Sequence, residues 1–329
     1  MPEPSAPNAT DPSAGRTGGV GFVLLAAALW GMFGVVARVA LRDGVPPLDI
    51  AFWRTLIAFA LFAVHHIVRH RVARRGDGPA SGTGERRLPH GSLRIRANDL
   101  PGIALFALTG IAALYAFLPL AVEAGGATLA AVLLYTAPAW VAILSTVLLG
   151  ERLTSRTLVA LGLTLAGIAG IALAGDGALR PTPAALGWGL AAGLSYASLY
   201  LFGKFYFARY APPVVFLYAL PIAALALVPF TAFHRPSTAA AVAILTLGVA
   251  CTYLAYLAYG AGLARLEPTR AATIATAEPV IAAVLAFAFW DERLSSGAYA
   301  ASLLVIAGVA ITAAAPVPRP SGTRRELSP

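Results

Sequence analysis

Residues 276–295 read TAEPVIAAVLAFAFWDERLS, and residues 136–154 read TAPAWVAILSTVLLGERLT. Each stretch carries a proline, Pro279 or Pro138, followed thirteen residues later by Glu292-Arg293-Leu294 or Glu151-Arg152-Leu153. Each is apolar enough for the centre of a bilayer, yet only the first holds a carboxylate, Glu278, before its proline. A charge at that depth costs about 2.5–3.5 kcal/mol on insertion scales, so such residues are rare and face the interior of a bundle. The pair therefore points to a membrane-spanning segment present twice, with a carboxylate added to one copy.

The rest of the chain agrees with a membrane reading. Of 329 residues, 58% are hydrophobic and 12% charged, with a mean hydropathy of +0.75, whereas soluble domains carry about 25% charged residues. About 20 apolar residues cross a bilayer as a helix, which satisfies its own backbone polar groups. Ten such segments stand out, at 19–41, 48–68, 100–122, 128–149, 157–174, 184–205, 214–233, 239–263, 270–290 and 297–315. The expected fold is an all-α membrane protein, because these runs are too long for barrel strands. Residues 1–18 and 316–329 read as tails, and the first segment is expected to stay uncleaved. Cys251, the single cysteine, allows no intrachain disulfide and reads as a small buried residue.

A net charge of +9 raises nucleic acid as a partner, but the distribution of charge removes it. With a cytoplasmic amino terminus, 18 of the 24 basic residues fall on the inside, eight of them arginines between segments two and three. Such a bias places both termini in the cytoplasm. One lysine among these basic residues fits a GC-rich bacterial genome, and the expected location is a bacterial inner membrane.

The duplication extends well beyond the opening pair. A shift of 166 residues lays Gly21, Trp30, Arg38 and Pro46-Pro47 on Gly187, Tyr196, Lys204 and Pro212-Pro213. A shift of 141 lays Tyr115, Thr128, Pro138, Glu151 and Gly167 on Tyr256, Thr269, Pro279, Glu292 and Gly308. One insertion, the Arg-rich loop at 69–99, accounts for the change of shift. Residues 19–175 and 183–315 thus read as two repeats of five helices each. An odd number inverts the second copy, an architecture that secondary transporters use to open a central site to either side in turn.

Trp30-Gly31, Arg38, Arg54, Pro138, Gly150-Glu151-Arg152-Leu153, Glu278-Pro279-Val280 and Asp291-Glu292-Arg293-Leu294 together resemble the drug/metabolite transporter superfamily, in particular bacterial carriers with two EamA-type domains. Two features depart from that pattern: the long basic loop, and Asp291 where a glycine is usual. The resemblance implies transport of small metabolites, often amino acids or derivatives. It also implies a cavity walled by segments one to four and six to nine, with five and ten as scaffold.

Glu278 reads either as a cavity carboxylate for a proton or a substrate amine, or as a group that locks helices together. Pro279 and Pro138 are expected to kink their helices by removing a backbone hydrogen bond. Arg54 reads as a partner for a substrate carboxylate or as half of an internal pair, with Glu278 one possible mate. Arg38 and Lys204 read as snorkelling cations, with gating of the two mouths as the alternative. Trp30, Phe33, Tyr115 and Tyr135 are candidate cavity aromatics, as are Trp140, Tyr196, Tyr200, Tyr253 and Tyr256. Gly189 and Gly193 form a GxxxG that permits close helix approach, within the chain or in a homodimer. His66 and His70 lack companion ligands, so no metal site is expected.

These residues point to a carrier of a small metabolite, with the lipid bilayer and a proton as further partners. No nucleotide-binding loop and no cofactor motif occurs in the sequence, and no catalytic residue is expected. An intramembrane hydrolase would need a base near its nucleophile, and Gly193-Leu194-Ser195-Tyr196-Ala197 lacks the last glycine of a nucleophile elbow. A receptor or scaffold acting through the basic loop is the other alternative.

Overall fold

The computed structural model describes residues 12–76, 95–174, 181–291 and 295–314. Its helices are α1 (Pro12–Arg42), α2 (Pro47–Gly76), α3 (Ala97–Gly125), α4 (Ala127–Leu134), α5 (Ala137–Leu149) and α6 (Ser155–Leu173), followed by α7 (Pro183–Phe207), α8 (Pro212–Leu227), α9 (Thr238–Leu263), α10 (Pro268–Ala275), α11 (Glu278–Trp290) and α12 (Ser296–Ala313). No strand occurs among the described residues. With α4 joined to α5 and α10 to α11, these helices make 10 runs long and apolar enough to cross a membrane. Residues 77–94 of the basic loop, Glu292-Arg293-Leu294, residues 1–11 and the tail from 315 lie outside the described residues.

The helix ends differ from the expected bounds for identifiable reasons. α1 starts at Pro12, inside the stretch read as a tail, because proline's fixed φ suits a first helical turn. α2 runs on to Gly76, into the basic loop. Segment seven ends early: α8 gives way to one 3₁₀ turn at Val228–Phe230, and Phe233 adopts a positive φ of 53°. Buried Asp49 at the start of α2 holds that connection, accepting the N–H groups of Ala232 at 2.8 Å and His234 at 2.6 Å.

The two prolines break their helices outright instead of kinking them. α4 stops before Tyr135-Thr136 and α5 restarts with Pro138 in its first turn. α10 stops before Thr276-Ala277 and α11 restarts with Pro279 in its first turn. The two breaks are offset by the same 141 residues as their sequences. α5 and α11 end alike, at Gly150 (φ 68°) and Asp291 (φ 52°), both left-handed. Asp291 thus fills a position that favours glycine, and a short polar side chain is among the few that tolerate it. Thr154 and Ser295 then cap α6 and α12, accepting from the N–H of Thr157 and Ala298. π-helical stretches interrupt α3 at Ala107–Ala112 and α9 at Val249–Leu254.

Packing interleaves the two halves of the chain. α1 lies against α9 and α11, α7 against α3, and α2 against α8. α6 and α12 pack chiefly on each other, and two glycines set their distance. A Cβ at Gly167 would stand 2.7 Å from the Ala301 carbonyl oxygen, and one at Gly308 would stand 2.6 Å from that of Ala160. The Gly189/Gly193 pair is likewise used inside the chain. A Cβ at Gly193 would meet the Leu133 carbonyl at 2.6 Å and the Thr136 hydroxyl at 2.7 Å, so this GxxxG seats α7 on the α4/α5 break.

Candidate functional site

A cavity of about 560 Å³ lies among α1, α2, α3, α7 and α9. Its mouth is ringed by Leu41, Pro46, Val122, Glu123 and Phe230, at the end of α1, the start of α2, the end of α3 and the turn after α8. Its inner wall carries Trp30, Phe33, Arg54, Tyr115, Tyr196, Tyr256 and Glu278. All seven are among the residues singled out from the sequence.

Arg54 is only 7% exposed, and a buried guanidinium persists only when partnered. Its Nε donates to Thr252 Oγ1 at 2.9 Å, and its Nη2 donates to Tyr115 OH at 2.9 Å and the Cys251 carbonyl at 3.4 Å. The π stretch of α9 supplies two of these acceptors. There the Thr252 hydroxyl bonds back five residues to the Leu247 carbonyl at 3.0 Å, and the wider turn presents the Cys251 carbonyl to Arg54. The rings of Phe33 and Tyr115 flank the guanidinium at 4.7 and 4.5 Å. Nη1 makes no hydrogen bond among the described residues and belongs to a side chain on the cavity wall.

Glu278 is the first residue of α11, where the unpaired N–H groups and dipole of a helix start favour a carboxylate. That placement offsets part of the cost of its depth. Tyr196 OH donates to its Oε2 at 3.2 Å, while Tyr135, at the other helix break, is buried beside Tyr196 and does not line the cavity. Arg54 and Glu278 therefore share one cavity, each with its own partners, and make no ion pair with each other among the described residues. The internal pair considered from the sequence is not made here.

The remaining aromatics divide by position. Tyr200 is buried one turn behind Tyr196, with its hydroxyl 3.5 Å from that of Tyr196. Tyr253 turns to the α2/α9 interface, where its hydroxyl lies 2.8 Å from His65 Nδ1. Trp140 packs on the core, and its indole N–H is without a hydrogen bond among the described residues. None of these three lines the cavity. Sequence reasoning missed Thr252, Cys251 as a carbonyl acceptor, and Tyr259, which is fully buried and donates to the Leu199 carbonyl at 2.7 Å. Among the described residues, no group of three or more His, Cys, Asp or Glu could hold a metal ion.

At the opposite end of the bundle, polar contacts tie the helices together. Lys204 Nζ donates to the carbonyls of Leu266 at 2.6 Å and Leu263 at 3.3 Å, so it reaches inward and does not snorkel. Glu151 accepts the Thr269 hydroxyl at 2.9 Å at the start of α10, and Thr269 also meets Ser145 at 2.9 Å. Asp99 receives Arg209 Nη1 at 3.1 Å and Tyr210 OH at 2.6 Å. At the mouth end, Arg38 lies 4.8 Å and Arg42 4.4 Å from the centre of the Trp290 ring.

Comparison with known proteins extends this picture. The EamA-like transporter family model matches the chain twice, over residues 17–173 and 183–314. A probable terminal-alkyne amino-acid exporter of Streptantibioticus cattleyicolor is 32% identical over 249 residues, 73% of this chain and 80% of that protein. An uncharacterized transporter of Archaeoglobus fulgidus is 30% identical over 218 residues, 64% of this chain and 75% of that protein. A crystal structure superposes with a TM-score of 0.73 at 20% identity, covering 90% of this chain and 96% of that one, and speaks to the fold alone. The family matches take in every membrane-crossing run and every residue named on the cavity wall. This multi-pass membrane protein is a transporter of the drug/metabolite superfamily, and it belongs to the EamA-like transporter family.

Proposed function

We propose that the chain is a secondary carrier that exports a small amphipathic metabolite, of the amino-acid class, across a bacterial inner membrane. It works by alternating access between two inverted five-helix repeats with both termini in the cytoplasm. The observation that carries the reading is the cavity. Arg54 and Glu278 are opposite charges on one wall, unpaired with each other, within a largely apolar and aromatic lining. A zwitterion with an apolar side chain meets all three features: its carboxylate at Arg54 Nη1, its ammonium at Glu278, and its side chain along Trp30 and Phe33. The relative from Streptantibioticus cattleyicolor supports the same class. In this reading the end tied by Lys204 is the sealed side and faces the cytoplasm, and the mouth faces the outside, following the distribution of arginines.

Counterflow in proteoliposomes tests the reading with three compounds: an apolar amino acid, its methyl ester and its N-acetyl derivative. The zwitterion is expected to exchange at least about tenfold faster than either masked form, since each masked form leaves one buried charge uncompensated. Equal rates for all three, or no exchange for any, would overturn it. Glu278 is also the proposed coupling site for a proton. A Glu278→Gln carrier that keeps the pH dependence of transport removes that role.

A further inference from the structure

Lys204 and Arg38 occupy equivalent positions under the shift of 166. Lys204, in the last turn of α7, grips the carbonyl of Leu263, the last residue of α9, and that of Leu266 in the turn that follows, where the negative end of a helix dipole favours a cation. Under the shift of 141, the gripped residues Leu263 and Leu266 correspond to Val122 and Gly125, at the end of α3. The two sites are in opposite conditions. Leu263 is 0% exposed, whereas Val122 is 40% exposed on the cavity rim. Arg38 meanwhile lies over Trp290. The residue equivalent to Trp290 is Leu149, which offers no aromatic face.

We propose that Lys204 and Arg38 are alternating latches: Lys204 on the end of α9 seals one mouth, and Arg38, moving from Trp290 to the carbonyl end of α3, seals the other. Trp290 contributes one contact to Arg38 in its resting place and so adds to the bias of the carrier toward the conformation described here. The inference rests on the alternating-access reading, but its test reads accessibility, needs no substrate, and can fail independently of substrate class. Guanidinium and ammonium suit this task because both donate only, and the ends of α3 and α9 offer acceptor carbonyls.

The experiment places one reporter cysteine in the cavity, Ala116→Cys, in a Cys251→Ala background. A membrane-impermeant maleimide is then applied to the mouth side or the sealed side of oriented vesicles. Trp290→Leu and Lys204→Met are each expected to lower labelling from the mouth side and raise it from the sealed side. For Trp290→Leu the ratio should change by roughly three- to tenfold, the worth of one cation–π contact. Arg38→Met is expected to move the ratio the opposite way, and Lys204→Arg to restore the parent ratio. A disulfide between Arg38→Cys and Gly125→Cys is expected to confine labelling to the sealed side. The proposal is overturned if Lys204→Met and Arg38→Met shift the ratio in the same direction. It is equally overturned if neither shifts it while both elute as folded monodisperse protein.

Discussion

The breaks at Tyr135-Thr136 and Thr276-Ala277 share their backbone and differ in one side chain. Each follows a short half-helix, precedes a proline in the next first turn, and leads to a left-handed residue where that helix ends. After the first break comes Ala137, 1% exposed within packed core; after the second comes Glu278, facing the cavity. Arg54 behaves likewise, since its equivalent under the shift of 166 is Leu220, buried at 0%. Backbone geometry therefore repeats where it serves the scaffold, and ionisable side chains depart from the repeat where the cavity is. A discontinuous helix start prepares a place for a carboxylate, and only one of the two has been given one.

The largest effect should come from making the halves alike. Glu278→Ala is expected to lower transport by about a hundredfold, the scale of roughly 2.7 kcal/mol, while size-exclusion behaviour stays unchanged. The reverse change, Ala137→Glu, places a carboxylate in packed core and should abolish accumulation of folded protein, read by fluorescence-detected chromatography. Next comes the α6/α12 crossing. Gly167→Leu and Gly308→Leu should each destabilise by about 1–3 kcal/mol or more, and nearly equally, because each presses on a carbonyl of the facing helix. Thermal melting in detergent checks this, and a large inequality would break the equivalence of the two positions. Smaller still, Thr154→Ala and Ser295→Ala should each cost about 1 kcal/mol as lost caps. The least change is expected from Asp291→Gly, which should alter stability by no more than about 1 kcal/mol, since relief at a positive φ offsets the contacts its carboxylate loses.

Much of this architecture was legible before any coordinates. Ten runs, two shifts and an intramembrane carboxylate follow from hydropathy and self-comparison, and the prolines mark both breaks. What stayed hidden depends on the phase of a helix. Tyr253 and Tyr256 look equivalent in the sequence, but across the π stretch of α9 one faces His65 and the other the cavity. The same stretch recruits Thr252 and the Cys251 carbonyl for Arg54, and no residue pattern announces it. Tyr196 and Tyr200 both read as cavity aromatics, yet only Tyr196 lines the cavity, where Leu199 takes the next place on α7. Lys204 reads as a headgroup anchor by position alone, and its carbonyl partners come from another helix. The GxxxG of α7 shows that two helices approach closely without naming the second, which turns out to be α4 of the same chain.

One contact bears on how such a carrier could hold a solute while it turns over. The hydroxyls of Tyr115 and Tyr256, equivalent under the shift of 141, lie 3.0 Å apart. Two equivalent groups that touch mark a fixed point of the operation that exchanges them. In the proposed exchange of halves that point stays at rest while its surroundings trade places, and Arg54, bonded to Tyr115, sits beside it. A molecule anchored there would not travel across the membrane at all. The barrier would move past it, from one side of the solute to the other.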